Sequence, residues 1–435
     1  MNERDSEIIV GMLEGEGYCV VGDEKDADVI LFNTCSVRQH AEDRVIGNLQ
    51  KLVSRKKNDP GLKIGVVGCM AQRHGEMLFK EFPQVDLVAG PNNIFDIPAL
   101  LEKSFGGGDG EKAVALGNKK RPGKKTGKAK SSRAFSAFVN IMYGCDNYCS
   151  YCIVPYVRGR EVSRPKRDIL EEVRELVDSG VKEVTLLGQN VNSYGMGLTN
   201  KITFPELLEA ACGVEGIERI RFMTSHPKDA GKGLFRAMKE LDKVCEHIHL
   251  PLQSGSDKML DLMNRKYKYG DYLKKIELLR SLVPDAGIST DIIVGFPAEK
   301  ERDFRATRGA MEETGFNAAF IFKYSPRPPA VSACLVDDVP EEVKKERNND
   351  LLALQKKISH EKNKGLAGTR QEVLVEGVSR MSEKELVGRT RNNISCVFAG
   401  DSGLIGQIVD VSITGTSPYT LKGEVVKDEG CGDAR

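Results

Sequence analysis

The chain has 435 residues, with Lys+Arg 64 against Asp+Glu 63 and eleven cysteines. That is long enough for two or three domains with sizeable cores, and a net charge near zero leaves nucleic-acid binding to local patches. No apolar run of about 18 residues and no apolar segment behind a basic start argue for a membrane span or secretion, and the odd cysteine count fits a reducing cytoplasm better than a disulfide framework.

Residues 1–103 read as alternating helices and parallel strands, an α/β doubly wound domain. Ile8, Ile9, Met12 and Leu13 form a helical apolar stripe that ends at Gly17. Asp28–Asn33 predicts a strand with Cys35 just past its end, and a basic helix over roughly 40–57 leads to a second strand, Lys63–Gly68, followed by Cys69. A short strand, Asp86–Ala89, comes next. Carboxyl ends of neighbouring strands form the ligand crevice of such sheets, so Cys35 and Cys69 are expected to face each other across it. They read equally as a second metal site or as ordinary buried cysteines. The first helix begins at residue 3 or 4 with no strand before it, so the first βαβ unit lacks its opening strand. The chain is therefore expected to start at an internal methionine, a strand carrying one cysteine having been lost. Cys19, at the far end of that helix, lies on the wrong side of the sheet to replace it.

Residues 104–133 read as a basic flexible linker. Ser104–Gly110 is too glycine-rich for a helix and fits no complete phosphate-loop pattern. From Lys112 to Arg133 there are nine basic residues and no acid, which suits a solvated linker and also a contact to RNA phosphates.

Residues 134–366 alternate strand and helix. Strands are expected at Ala137–Met142, Glu183–Leu187, Arg219–Met223, Glu246–Leu250, Gly287–Ile293 and Ala318–Phe322, with helices near 167–179, 204–212, 231–240, 257–281 and 302–313. This is an open, incomplete (β/α)6 barrel, whose chemistry belongs on the loops after the strands. The first such loop, Gly144–Cys152, carries three thiols spaced C-x3-C-x2-C. A structural zinc wants four protein ligands, and ferredoxin spacings supply four thiolates. Three soft ligands on one loop suggest a [4Fe–4S] cluster with one iron left open; the alternative is a zinc knuckle that borrows a distant ligand. Gly188–Asn190, Thr224–Pro227, Gln253–Ser256 and Gly295–Pro297 are polar or glycine-rich loops expected to converge on the same mouth. His247 and His249 share one face of a strand and read as metal ligands or as barrel packing.

Within that region, residues 341–363 predict a charged amphipathic helix with Val343, Leu351, Leu352, Leu354 and Ile358 on its apolar side. Residues 367–428 predict a small antiparallel β-barrel with strands at Glu372–Glu376, Asn393–Phe398, Gly406–Ile413 and Leu421–Val425. Arg370, Arg380, Arg389, Arg391 and Lys422 decorate it, for RNA binding or for domain packing. Residues 429–435 read as a disordered tail in which Cys431 is incidental.

Cys145, Cys149 and Cys152, with aromatic Tyr151 before the last, resemble the radical S-adenosylmethionine signature. The stretches Asn33–Arg38, Gly68–Gln72, Ser136–Val139, Leu186–Ser193, Thr224–Pro227, Leu250–Ser256, Ile293–Pro297 and Tyr324–Arg327 resemble the methylthiotransferases. The likeness covers nearly the whole chain, and the C-terminal barrel is similar to TRAM domains. Within the family it is closest to the bacterial branch that makes 2-methylthio-N6-isopentenyladenosine at position 37 of tRNA.

The resemblance implies that Cys145, Cys149 and Cys152 hold a radical [4Fe–4S] cluster whose open iron binds S-adenosylmethionine, giving a 5′-deoxyadenosyl radical that takes the hydrogen from C2 of adenine. It implies that Cys35 and Cys69 are two of three ligands of an auxiliary [4Fe–4S] cluster that carries the sulfur, and that a second S-adenosylmethionine supplies the methyl group. Tyr151, Gln189, Ser225 and Gln253 match positions that contact the cofactor. The implied partners are a tRNA anticodon stem-loop, whose purine must leave its stack, and an electron donor such as flavodoxin or ferredoxin; a cytoplasmic monomer is expected. Two departures stand out. The family's Gly-Cys-Gln-Met-Asn pattern is met here only by Met1-Asn2, so weak or absent methylthiolation is expected of this form, and Arg327-Pro-Pro-Ala-Val is shorter than the family's loop. The competing readings are methylthiolation of a ribosomal-protein aspartate or of threonylcarbamoyl-adenosine in tRNA, and a non-enzymatic iron–sulfur RNA-binding protein.

Overall fold

The computed structural model describes residues 1–36, 39–106, 112–117 and 134–426. The chain opens on helix α1 (Asn2–Gly15), then strand β1 (Val29–Thr34), α2 (Gln39–Asn58), β2 (Lys63–Gly68), α3 (Cys69–His74), α4 (Met77–Glu81), β3 (Leu87–Ala89), α5 (Ile97–Gly106) and β4 (Ala113–Ala115). The four strands run parallel in the order β1-β2-β3-β4. Apolar side chains cover both faces: Val45, Leu49 and Leu52 of α2 pack on one, Ile8 and Ile9 of α1 with Leu101 of α5 on the other. The sheet is doubly wound, as expected.

The sheet also takes in part of the stretch read as linker. Ser104–Gly106 completes α5 because Leu101 is buried against the sheet and Ser104 Oγ donates to Leu101 O (2.8 Å). Ala113–Ala115 then pairs with β3 as an edge strand. Three residues are too few for alternation to show, and the ladder alone makes this strand. Residues 118–133, with most of the basic run, and residues 427–435 lie outside the described residues.

The central region comprises β5 (Ser136–Asn140), β6 (Met142–Tyr143), α6 (Val154–Arg158), β7 (Val162–Ser163), α7 (Lys166–Asp178), β8 (Glu183–Leu187), α8 (Phe204–Cys212), β9 (Arg219–Met223), α9 (Lys232–Glu240), β10 (His247–His249), α10 (Asp257–Leu262), α11 (Tyr269–Leu282), β11 (Gly287–Val294), α12 (Glu301–Thr314), β12 (Ala318–Lys323) and α13 (Glu341–Lys364). Strands β5-β8-β9 and β10-β11-β12 form two parallel ladders that meet at the bridge between Ile220 and Val244. Among the described residues no ladder joins β12 to β5, so the barrel has six units and is open. Its core, including Val139, Leu186, Phe222, Ile248 and Ile288, lies between strands and helices.

Two expectations fail here. The single helix over 257–281 is two, because Asn264 (φ 55°) and Lys266 (φ 61°) adopt left-handed backbone between α10 and α11. Leu352 of α13 faces solvent, whereas Leu351 and Leu354 are buried.

The C-terminal domain is a closed barrel of β13 (Arg370–Ser379), β14 (Ser382–Thr390), β15 (Ser395–Ala399), β16 (Ile408–Thr416) and β17 (Thr420–Val425). Strand β14 escaped the sequence pattern because its inward positions include Gly388 and Thr390 beside Leu386. The turn from β14 to β15 closes the amino end of the (β/α)6 barrel. Arg221 Nη1 and Nη2 donate to Arg391 O (2.9 Å) and Thr390 O (2.8 Å), and Arg219 Nε donates to Glu372 Oε1 (2.9 Å). Arg391 pairs with Glu246 (2.7 Å). Gly287 admits the turn: a Cβ there would lie 2.3 Å from Asn392 O. The basic face is therefore smaller than expected. Arg391 is committed to domain packing, Arg389 pairs with Glu376 (3.1 Å) and exposed Arg370 with Asp410 (2.5 Å), which leaves Arg380 and Lys422 as the exposed ones outside these pairs.

Inside the barrel, His247 Nε2 and His249 Nδ1 each lie 3.0 Å from Ser289 Oγ, and His249 Nε2 lies 3.3 Å from Asp291 Oδ2. Both imidazoles are thus engaged in a polar array between β10 and β11. No helix among the described residues is long and apolar enough to cross a membrane.

Two outcomes follow. Arg219 is fully buried and holds Glu372 (2.7 Å) and Arg389 O (3.0 Å), so Arg219→Ala leaves both without that partner and is expected to cost about 3 kcal/mol in urea unfolding. Burial, aided by Arg221, His249 and Arg389, pushes the His247 pKa down to about 3. Below its ordinary value the unfolded chain binds the proton and the folded chain does not, so stability present above about pH 6.5 is lost as pH falls. The His247→Asn variant is expected to lose less stability than the parent between about pH 6.5 and 5, read from the same urea midpoints.

Candidate active site

The three-thiol loop follows β6, which pairs with β7, and is turned by Gly144, whose φ is 73° and whose notional Cβ would lie 2.1 Å from Arg160 O. Only glycine fits there. Cys145 N donates to Gly159 O (3.2 Å), closing the loop's base. The loop's far side is held by the segment that breaks the expected helix. Ser150 N and Oγ donate to Met263 O (3.0 Å) and Leu262 O (2.7 Å), and Asn264 Nδ2 donates to Tyr148 O (2.8 Å). Cys149 is buried; Cys145 and Cys152 are half-buried.

Cys149 Sγ receives Arg265 Nη1 at 3.2 Å and faces His226 Nε2 at 4.0 Å. Since Lys228 N donates to His226 Nδ1 (3.2 Å), the ring proton sits on Nε2, toward the sulfur. Burial, with Arg265, Lys228, Lys266 and Lys275 nearby, pushes the His226 pKa down to about 2, so the ring is neutral. Tyr151 packs against an apolar cluster of Met259, Met263, Phe296 and Tyr324, and its hydroxyl accepts from Arg265 (3.3 Å). Burial pushes the Cys145 thiol up to about 11 and the Cys152 thiol up to about 12. Iron must therefore displace protons here, and cluster binding is coupled to thiol ionisation.

The loops after the neighbouring strands contribute buried polar atoms without partners: Gln189 Oε1, Ser225 Oγ and Gln253 Oε1. Thr224 and Gln253 both hold φ 73° at the carboxyl ends of β9 and β10, a strain found where a site fixes the backbone. Such unpartnered oxygens fit a polar cofactor laid across the mouth. Gln189 also donates through Nε2 to Met1 Sδ.

Cys35 and Cys69, at the ends of β1 and β2, are brought together. The Cys69 thiol is pushed down to about 6 by a hydrogen bond from Cys35 and by Arg158, against the upward effect of burial. Arg158 Nη2 also reaches Asn2 Oδ1 (2.8 Å) and Asp5 Oδ2 (3.1 Å). It ends α6, the five-residue helix just after Cys152, and Ile153 and Val157 of that segment pack on Cys69. One short helix thus spans the two thiol sets. Among the described residues no three His, Cys, Asp or Glu side chains converge on one metal ion; thiolates of a [4Fe–4S] cluster each hold a different iron, so the donor set suits a cluster.

Sequence reading did not anticipate Arg158, Arg265 or the pairing of His226 with Cys149. His226 lies in a quoted loop motif. Arg265 was hidden inside a helical pattern, and only Asn264, a residue that tolerates left-handed backbone, hinted at a break.

A partial (β/α)6 barrel with three thiols after its first strand defines the radical S-adenosylmethionine class, and residues 139–310 match the Radical SAM superfamily. That family uses a [4Fe–4S] cluster with S-adenosylmethionine. Residues 1–90 match the uncharacterized protein family UPF0004, and residues 366–426 match the TRAM domain. The tRNA-2-methylthio-N(6)-dimethylallyladenosine synthase of Thermoanaerobacter sp. (strain X514) is 48% identical over 429 residues, covering 98% of this chain and 91% of its own. The synthase of the same name from Clostridium novyi (strain NT) is 45% identical over 428 residues, covering 98% and 94%. The chain belongs to the tRNA-2-methylthio-N(6)-dimethylallyladenosine synthase family. In fold alone it is similar to the radical S-adenosylmethionine methyltransferase TsrM from Kitasatospora setae, with TM-score 0.54, 14% identity, and 86% and 75% of the two chains covered.

Gly144→Ala is expected to displace the loop and cut the iron bound per chain, measured by iron analysis and cluster absorbance. Gly197→Ala is the control: φ is also left-handed (83°) but nothing lies within 4 Å of the new methyl, so iron content is expected to stay at the wild-type level.

Proposed function

We propose that the chain methylthiolates C2 of N6-dimethylallyladenosine in the anticodon loop of tRNA. Cys145, Cys149 and Cys152 hold the radical cluster in this reading, and Cys35 and Cys69 serve an auxiliary cluster. The observation that carries it is the 48% identity to a synthase of this name across all three regions of the chain. When bound, the clusters supply the electron that cleaves S-adenosylmethionine reductively and the sulfur that is transferred.

The chain's own residues do the rest. Gly144 and the Leu262–Asn264 segment fix the thiols in place. Gln189, Ser225 and Gln253 offer their free oxygens to the polar groups of S-adenosylmethionine. Met259, Met263, Phe296 and Tyr324 keep water from beneath Tyr151, as radical chemistry requires. Arg158 keeps Cys69 within one short helix of Cys152, so sulfur and radical meet the same base. Exposed Arg380 and Lys422, with the basic stretch between the first two domains, grip tRNA phosphates in a salt-dependent way. The protein acts as a cytoplasmic monomer fed by a flavodoxin- or ferredoxin-type donor.

Nucleoside mass spectrometry of tRNA from cells lacking this protein is expected to show the dimethylallyl nucleoside in place of its 2-methylthio derivative. Retention of the methylthio nucleoside, or loss of a modification only from a ribosomal protein, would overturn the reading. In purified protein, Cys149→Ala is expected to abolish 5′-deoxyadenosine formation, whereas Cys69→Ala is expected to keep it and to lower the iron bound per chain.

A further inference from the structure

Arg265 carries a positive charge into the barrel wall and meets no carboxylate among the described residues. It is 3% exposed. Its Nη1 donates to Cys149 Sγ (3.2 Å) and Tyr151 OH (3.3 Å), Nη2 to Pro251 O (2.8 Å), and Nε to Tyr267 OH (3.0 Å). The guanidinium also lies 5.3 Å from the Tyr267 ring centroid. Its hydrogen-bond partners among the described residues are two phenols, a carbonyl and a thiol. Most other buried arginines differ: Arg4, Arg158, Arg164, Arg219, Arg221 and Arg347 each reach a carboxylate at 3.1 Å or closer, while Arg327, 6% exposed, donates to the neutral Gln39 Oε1 (2.7 Å) and touches none of the three loop thiols.

A buried cation without a counter-charge is strongly unfavourable. The chain also holds the residues on either side, Asn264 and Lys266, in left-handed backbone, a conformation that asparagine tolerates and lysine disfavours. Such an arrangement persists when a negative group completes it. At the tip of the guanidinium, the group able to carry that charge is the Cys149 sulfur as a thiolate. A cluster held by three thiolates is net negative and gains a further negative charge on reduction. Hydrogen bonds and charges at the sulfurs set the potential of such centres.

We propose that Arg265 is a positioning residue that serves as the built-in counter-charge of the radical centre: it fixes the Cys149 sulfur and raises the reduction potential of the cluster that this sulfur holds. The inference rests on the reading of Cys149 as a cluster ligand. Reduction adds one electron from the external low-potential donor, and the guanidinium offsets the added charge without giving up a proton.

The test is a reductive titration of the loaded holoenzyme, followed by electron paramagnetic resonance, on the wild type, Arg265→Gln and Arg265→Lys, with iron and sulfide counted first. In Arg265→Gln the equilibrium constant for reducing this cluster is expected to fall about tenfold or more, about 59 mV for a one-electron couple. Arg265→Lys is expected to recover most of the loss, and the second centre is expected to keep its potential. A wild-type potential in a fully loaded Gln variant overturns the proposal, as does an equal shift of both centres or a Lys variant as low as Gln. Loss of iron from both variants reduces Arg265 to a structural clamp and also overturns it. If Cys149→Ala leaves the titrated signal intact, it is the ligand assignment that has failed, and a wild-type potential in Arg265→Gln can be told apart from that case.

Discussion

The guanidinium of Arg158 joins the N-terminal sheet to the barrel. It is buried, it ends the short helix that follows Cys152, and it binds Asn2 and Asp5 of α1 together with Cys69. A second buried tie runs beside it, where Glu172 of α7 accepts Arg4 from α1 and Arg164 from the barrel, each at 2.7 Å. Breaking one member of such a set leaves an unpaired charge in the interior, typically at a cost of about 3–5 kcal/mol. These pairs add little net stability over apolar packing, but they accept only one docking geometry. Thiols that lie on separate domains are thereby held at a fixed offset.

The barrel is graded along its axis. Charged groups, Glu183, Arg219 and Arg221, occupy the amino end under the β14–β15 turn. The imidazoles of His247 and His249 with Ser289 fill the middle. Thiols and unpartnered amide and hydroxyl oxygens stand at the carboxyl end. Apolar residues pack the outside of the strands against the helices, so the inner face is free to be polar. That reverses the usual apolar filling of a closed eight-stranded barrel, and an open six-stranded wall makes it possible.

Much of this was legible in the sequence because it is local. Thiol spacing, loop composition after each strand and the alternation of strand and helix are all carried by neighbouring residues, and the six barrel strands fall within a residue or two of expectation. The pairing of Cys35 with Cys69 followed from topology, since equivalent strand ends of a parallel sheet come together. What escaped reading depends on distant partners. Arg265 meets Cys149 across 116 residues and Arg221 meets Thr390 across 169, and no periodicity encodes either contact. Edge strand β4 and the polar strand β14 exist through their ladders rather than through their own patterns. Leu352 shows the opposite error, an apolar residue whose helix turns it toward water.

The seal at the amino end has a consequence for how this protein can be divided. A fragment that stops at α13 would not be a smaller working unit with one accessory module removed. Its floor would be missing: Arg219, now fully buried, would open to solvent, and the cleft that Gly287 leaves for the Asn392 carbonyl would become a hole beneath the sheet. The C-terminal barrel is in this sense the last piece of the catalytic domain's interior, and boundaries drawn from sequence similarity do not mark where the physical unit ends.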